Sequence, residues 1–515
     1  MSSEATPRPA LHLASLREEP SPAFTDAAFT DAAFHEAAFA ETGSGEAPKD
    51  SPSAPGGEGR VDDASSGRRR SRRRRSHRRR SRRPRGTLAR TVAVLLLGLL
   101  MVVAPWPFGG AVSSARSALW VALGLLLVGA VMTIPRGQKR LPPIAVPLLC
   151  LLALAAQATV QSVLGVAVDP AAAGNAALSF LAVAAALTLG AWLGGEHRSS
   201  RRWLLGAFVL GGSFQLLWGT RLWFAPNATL WGQEVGGASQ RLRGTYVNPD
   251  HFAYFLEILL AVLFAWLWWS WRRSRRVPSL EQRLLLVVIP ALAWVTAFIA
   301  LSFTGSRAGL LAGLFGLAAQ AWWVIRGSGR GQERSGVRWD RLRRGLAVVA
   351  LAVVAVGLTL WLGAWEGFGR LLTTSSYELI SNSRSQVYAV SLELWFPQPW
   401  WGLGFGGFRD AFPAVQPESL RGLWTHAHSD YLELLICGGV IGLGLALAGA
   451  FALWRRLLQV WAAGYRSEGR AAALAALGAL AAVGAHEMVD FGLLLPANAL
   501  LLGILCGAAA AVPRR

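Results

Sequence analysis

The stretch HFAYFLEILLAVLFAWLWWSWRRSRR, His251–Arg276, decides the fold. Its apolar run of roughly 20 residues matches the hydrocarbon thickness of a bilayer. The tryptophans of WLWWSW then read as an interfacial belt, with no cofactor implied, and the arginines after them as a cytoplasmic flank. The same reading carried in both directions finds twelve candidate spans, near residues 88–104, 115–134, 142–161, 173–195, 202–220, 251–271, 284–302, 308–325, 345–364, 429–454, 471–489 and 493–512. With 53% hydrophobic residues and 23 tryptophans in 515, the chain is too apolar for ordinary soluble domains. The expected fold is all-α: a polytopic membrane protein of about 12 transmembrane helices.

The net charge of +21 has the distribution of a topology signal, because basic residues gather in alternate connections. RGQKR near 136, HRSSRR near 197, RRSRR near 272 with Arg283, the Arg326–Arg344 segment, the arginines between 455 and 470 and the terminal pair together hold 24 lysines or arginines, and the N-terminal segment as far as Arg90 holds another 18. The opposite face holds nine: Arg116, Arg221, Arg241, Arg243, Arg307, Arg370, Arg384, Arg409 and Arg421. Both termini are therefore expected on the cytoplasmic side. Two long connections fall on the other side, about 221–250 and 365–428, and the second is too long to be a mere turn. It reads as a functional extracytoplasmic loop. Within it, LWFPQPWWGLGFGGFRDAFP is an aromatic segment punctuated by proline and glycine, suited to the membrane interface.

Residues 1–86 are rich in Ala, Ser, Pro and charge, so they bury too little apolar surface to order themselves and are expected to form a disordered cytoplasmic tail. Residues 87–515 form the membrane domain. The tail's AFTDAAFTDAAFHEAAFAE repeats every five residues, a period that drifts around a helix and makes no single face. Its arginine run, Arg68–Arg85, contains thirteen arginines directly before the first span, and its expected partner is anionic membrane lipid, not nucleic acid. Cys150, Cys437 and Cys506 lie far apart in or at apolar segments, with neither metal-ligand spacing nor an evident pairing.

Arginines on the face that membrane sorting depletes need another reason. Arg243 in RLRGTYVNPDHFA closes the first long loop, Arg307 in SFTGSRAGLLAG opens a span, and Arg384 in SNSRSQVY lies in the second long loop. His426 and His428, in WTHAHSDYLELL, end that loop. A guanidinium forks onto phosphate oxygens and keeps its charge, whereas a neutral imidazole accepts a proton from a hydroxyl. Together they describe a site for a phosphate-bearing donor and a hydroxyl acceptor. Ser429 or Asp430 can cap the following helix, and the positive end of its dipole keeps His428 in the neutral form a base requires. Both groups also have plainer readings: Arg307 as a headgroup anchor, and Arg384 as a partner for a loop carboxylate such as Glu378. His251 heads a span and reads as a capping or packing residue. His486 and Asp490, near the outer end of the eleventh span, suit either a structural hydrogen bond or a place in the cavity.

Five strings in order, GTYVNPDHFAYFLE, TGSRAG, SRSQVY with PWWGLGFGGFRDAFP, HAHSDYLELLICGGVIGL and HEMVDFGLLLP, resemble the O-antigen ligase and Wzy-type polymerase superfamily of bacterial integral membrane glycosyltransferases, over roughly residues 88–512. The resemblance implies a GT-C-like helical frame in the inner membrane, its active site facing the periplasm. It also implies inverting, metal-independent transfer of a glycan from an undecaprenyl-pyrophosphate carrier to an acceptor hydroxyl, such as that of lipid A-core, without a cofactor. His428 matches the catalytic histidine, Arg307 and Arg384 the pyrophosphate ligands and Arg243 a third. His426, Asp430, Asn248 and His251 have supporting places. Ser429 stands where the family often has Asn, and Cys437 where an acidic residue is common.

The acceptor is not written in the strings, so a Wzy-type polymerase that extends carrier-linked repeat units stays open beside the ligase, as does transfer to a protein hydroxyl. A polysaccharide transporter or flippase is the rival from another class, since twelve spans also suit carriers. Transporters usually show paired halves or mid-membrane charge, and this chain shows no internal repeat of that kind. A structural assembly subunit is a further possibility.

Overall fold

The computed structural model describes residues 86–133, 143–195, 197–225, 229–230, 233–234, 241–327, 336–362, 383–420, 422–462 and 467–513. The expected disordered tail, with its arginine run at 68–85, lies outside the described residues but for Gly86, as do residues 365–382 of the expected extracytoplasmic loop.

The described residues are all-α but for one two-residue antiparallel ladder, β1 (Thr229–Leu230) with β2 (Gln233–Glu234). In chain order the helices are α1 (Gly86–Val103), α2 (Ser113–Thr133), α3 (Ala145–Val163), α4 (Pro170–Leu189), α5 (Arg198–Phe224), α6 (Pro249–Ser274) and α7 (Leu280–Phe303). There follow α8 (Arg307–Arg326), α9 (Gly336–Trp361), α10 (Ser383–Trp395), α11 (Phe408–Ala411), α12 (Asp430–Trp461), α13 (Ser467–His486) and α14 (Pro496–Ala510). Ten of them are long and apolar enough to cross a membrane, and α1 and α14 are shorter apolar helices at the first and last expected spans. The chain is a multi-pass membrane protein.

Packing centres on α6, whose residues Phe252–Ala265 are all buried. Lipid offers no hydrophobic drive between helices, so close approach depends on small residues. α13 supplies them with buried Ala472, Ala473, Ala475, Ala476, Ala479 and Ala482. A side chain on Gly478 would meet Gln320 of α8 at 2.3 Å. Gln320 uses that closeness: its amide donates to the carbonyls of Ala261 on α6 (2.9 Å) and Leu474 on α13 (3.0 Å), tying three helices together.

Arginines at one end of the bundle also cap helix ends, whose last carbonyls lack intrahelical donors. Arg90 donates to Trp192 O (2.9 Å) and Arg201 to Gly195 O (2.8 Å), on the π turn that ends α4. Arg344 donates to Val324 O of α8, and Arg456 to Ala510 O of α14.

α12 is interrupted at Gly439, which has φ 65° and ψ −170°. The break frees carbonyls and amides on its two sides, and the loop before it takes them up. Leu403 N donates to Ile436 O (3.0 Å) and Gly404 N to Cys437 O (3.0 Å), while Val440 N donates to Pro399 O (2.9 Å). Gln157 and Gln161, one turn apart on α3, donate to Gly438 O (2.7 Å) and Trp401 O (2.9 Å). The glycines of PWWGLGFGG let backbone meet backbone here. A side chain on Gly439 would stand 2.2 Å from Trp400 O. The segment is half inserted, with Leu403 and Phe405 buried and Trp400 and Phe396 exposed.

The expected eleventh span, 471–489, stops earlier. α13 ends at His486 because the next side chains bond to local backbone: Asp490 accepts from Phe491 N (3.0 Å) and Glu487 from Leu493 N (3.1 Å). Residues 487–495 are a folded loop, not helix.

Gly439→Ala combines a glycine-only conformation with a backbone clash, so it is expected to destabilise the protein by about 2–5 kcal/mol. Thermal unfolding in detergent checks this against Gly444→Ala, where an added Cβ meets nothing within 4 Å and no comparable loss is expected.

Candidate active site

The loop after α13 gathers the site. Asp430 N, at the head of α12, donates to the carbonyls of Glu487 (3.1 Å) and Asp490 (3.3 Å), and Tyr431 OH donates to Gly484 O (2.9 Å). Asn498 on α14 donates to Gly492 O (3.3 Å) and to His251 O (3.2 Å) on α6, and accepts from Tyr246 OH (2.8 Å). The GTYVNPDHFAYFLE and HEMVDFGLLLP strings are thereby tied to each other. Gly492 must lack a side chain, since a Cβ would lie 2.2 Å from the Tyr254 ring. Beneath the loop, His486 Nδ1 lies 2.7 Å from Glu257 Oε1 with both side chains fully buried, and its ring stacks on Tyr254 at 3.9 Å.

His428 sits where the sequence expects, just before α12. Ser429 is the N-cap, accepting from Leu432 N at 3.5 Å. His428 itself has φ 53°, the left-handed region; among the described residues only Phe108 shares this outside glycine. Its ring Nδ1 lies 3.7 Å from Asp490 Oδ1, beyond hydrogen-bond length but within reach of a charge. Its carbonyl accepts from Tyr388 OH of α10 at 2.7 Å. Arg384, one turn earlier on α10, donates to Val489 O (2.9 Å) and places Nη2 3.8 Å from Asp490 Oδ2. The Asp490 carboxylate, 2% exposed, thus stands between Arg384 and His428, at 32% and 25%.

Phe491 is the apolar hub. His426 packs on its ring at 4.4 Å, His251 at 4.8 Å and His428 at 5.0 Å, and Trp424 closes the other side of His428 at 5.3 Å. His426 is held by Glu433 through Nδ1 (2.9 Å), and Glu433 also accepts from Ala427 N (3.0 Å). Burial alone lowers the pKa of His426, but the charge and hydrogen bond of Glu433 raise it above the ordinary histidine value. His426 therefore favours a charged, anchored role. Burial, then the neighbouring Asp430 carboxyl, pushes Glu487 well above the usual carboxyl range.

Arg243, in the turn before α6, and Arg307, at the first turn of α8, are not brought against His428, whose partners among the described residues are Tyr388, Asp490, Trp424 and Phe491. Arg241 explains their position. It donates to Thr304 O (2.6 Å) and pairs with Asp250 (2.5 Å), clipping the first motif to the turn before α8. Asn248 caps α6 by accepting from Asp250 N (2.8 Å), and Ser306 caps α8 by accepting from Gly309 N (3.1 Å). Arg307 is exposed at the first turn of α8. Burial and then the adjacent Arg241 charge lower the pKa of Arg243, an environment that an incoming anion would relieve. Among the described residues no three His, Cys, Asp or Glu side chains converge as metal ligands.

The sequence left Asp490 between a structural and a cavity role and passed over Tyr388, Phe491 and Arg241. An aspartate at the end of an apolar run was the available signal for the first.

Burial raises Asp490, but His428, Arg384, His251 and His486 pull it down further, to about 2. A depressed carboxyl adds stability above its unfolded value near 3.9 and loses it as pH falls toward 2. Asp490→Asn is therefore expected to lower stability by about 2 kcal/mol near neutral pH. The gap to the wild type should close between about pH 4 and about pH 2, as measured by thermal unfolding against pH.

No curated protein matches the chain. Residues 292–447, which run from α7 to just beyond the break in α12 and include Arg307, Arg384, His426 and His428, match the family described as O-Antigen ligase. That segment supports the resemblance to the O-antigen ligase and Wzy-type superfamily over residues 292–447.

Proposed function

We propose that the protein is an O-antigen ligase-like glycosyltransferase of the bacterial inner membrane, with cytoplasmic termini. It moves a glycan from an undecaprenyl-pyrophosphate carrier to an acceptor hydroxyl, of lipid A-core or similar, at the periplasmic face. The observation that carries this reading is the Arg384–Asp490–His428 array, set beside a segment of the O-antigen ligase type. A phosphate ligand, a carboxylate and an imidazole in that order supply what glycosyl transfer from a pyrophosphate needs.

In this reading His428 takes the acceptor's hydroxyl proton on Nε2. The acceptor oxygen then forms its bond to the anomeric carbon from the face opposite the carrier, and the bond to the pyrophosphate oxygen breaks. The bonding electrons leave with the pyrophosphate, whose charge Arg384 and Arg307 stabilise, with Arg243 beside them. Asp490, facing Nδ1, stabilises the imidazolium that forms and fixes the ring's orientation. His426, held by Glu433, stays a charged support, and Asn248 and His251 secure the α6 edge. The product linkage is inverted. No step calls for a metal.

The test is in vitro transfer with a purified chain, a polyprenyl-pyrophosphate glycan, a lipid acceptor and carrier-linked repeat units. His428→Ala is expected to lower turnover by about 10²-fold or more while the protein still accumulates in the membrane. Arg384→Ala and Arg307→Ala are expected to raise the donor KM. Discrete glycosylated acceptor identifies a ligase, and a ladder of carrier-linked products identifies the polymerase instead. Unchanged turnover in His428→Ala removes the histidine from the chemistry.

A further inference from the structure

One helix touches both halves of the proposed chemistry. α10 carries Arg384 and Tyr388 four residues apart and hence on one face. Arg384 reaches Val489 O and Asp490, while the Tyr388 hydroxyl donates to the carbonyl of His428 at 2.7 Å. That carbonyl belongs to a residue with φ 53°, a conformation that persists only where the surroundings hold it. Tyr388 is such a holder. Burial raises its pKa, offset in part by the Arg384 charge, so its hydroxyl keeps its proton through the neutral range.

The base is also incomplete as it stands. His428 Nδ1 is buried without a hydrogen-bond partner, and the carboxylate that faces it is 3.7 Å away. Asp490 is meanwhile shared with Arg384 at 3.8 Å. A pyrophosphate on Arg384 would compete for the fork now turned to Val489 and Asp490, and would release the carboxylate from one of its cationic neighbours.

We propose that Tyr388 is a positioning residue through which α10 couples donor binding to the base: as the donor pyrophosphate draws Arg384, Tyr388 shifts the His428 backbone and the ring closes on Asp490. The proposal rests on the reading of His428 as base and Arg384 as donor ligand. Its consequence is an ordered reaction in which the acceptor hydroxyl is activated only once the donor is in place.

The experiment measures kcat and donor KM for Tyr388→Phe, normalised to donor-binding sites counted by titration with the polyprenyl-pyrophosphate glycan. The expected result is a kcat about tenfold lower with donor KM within about twofold of the wild type. In an Arg384→Ala background the same change is expected to have little further effect, because the donor no longer pulls on α10. An unchanged kcat, a loss of donor-binding sites, or fold-losses that multiply in the double variant each overturn the coupling. His428→Ala run in parallel separates the cases: if it retains full turnover the proposed chemistry fails, whereas if it is inactive and Tyr388→Phe is normal only the coupling fails.

Discussion

Backbone polar groups shielded from water must find partners within the protein, and the break in α12 is where this chain meets that constraint most directly. At Gly439 the helix gives up its own pairing, and the loop around Gly402 and Gly404 restores it strand by strand, with Gln157 and Gln161 completing the set. Apolar side chains cannot do this. The loop, α3 and both halves of α12 therefore form one unit, and the direction of the leading half, Asp430–Gly438, is fixed by amide geometry as much as by packing. That leading half carries Asp430 and Glu433 and begins directly after His428.

The site is consequently built from backbone hydrogen bonds around an apolar ring. The carbonyls of Glu487, Val489 and Asp490 take donors from Asp430, Arg384 and Asp430 again, so the loop after α13 is held by its main chain while its side chains face the histidines. Three imidazoles pack on Phe491 with different surroundings: the His426 ring is held by Glu433 and the His428 ring faces Asp490, while His251 is held through its carbonyl by Asn498.

Much of the frame was legible in the sequence, because apolar length and arginine placement are one-dimensional signals. The twelve apolar runs all reappear as helices, and the motif residues from His426 to Asp430 stand where they were expected. Two things were not legible. Tyr388 acts on a carbonyl, and no residue pattern marks which carbonyl a phenol will find. Asp490 lay at the edge of a run that looked helical, and only its bond to Phe491 N, with that of Glu487 to Leu493 N, shows why the helix ends before it. Gln157 and Gln161 did carry a signal, a polar pair at i and i+4 in an otherwise apolar helix, which marks a buried partner in a membrane protein. The arginines of the alternate connections were read for topology alone, although several of them cap helix ends.

The break also divides the length of the helix. From Val440 to Trp454, the last residue before Arg455 and Arg456, α12 rises about 22 Å at 1.5 Å per residue, less than the hydrocarbon thickness of a bilayer, while the leading half adds about 13 Å. The trailing half alone is too short to cross, so the backbone around Gly439 has to be paired within the protein, as the loop at Pro399–Gly404 pairs it.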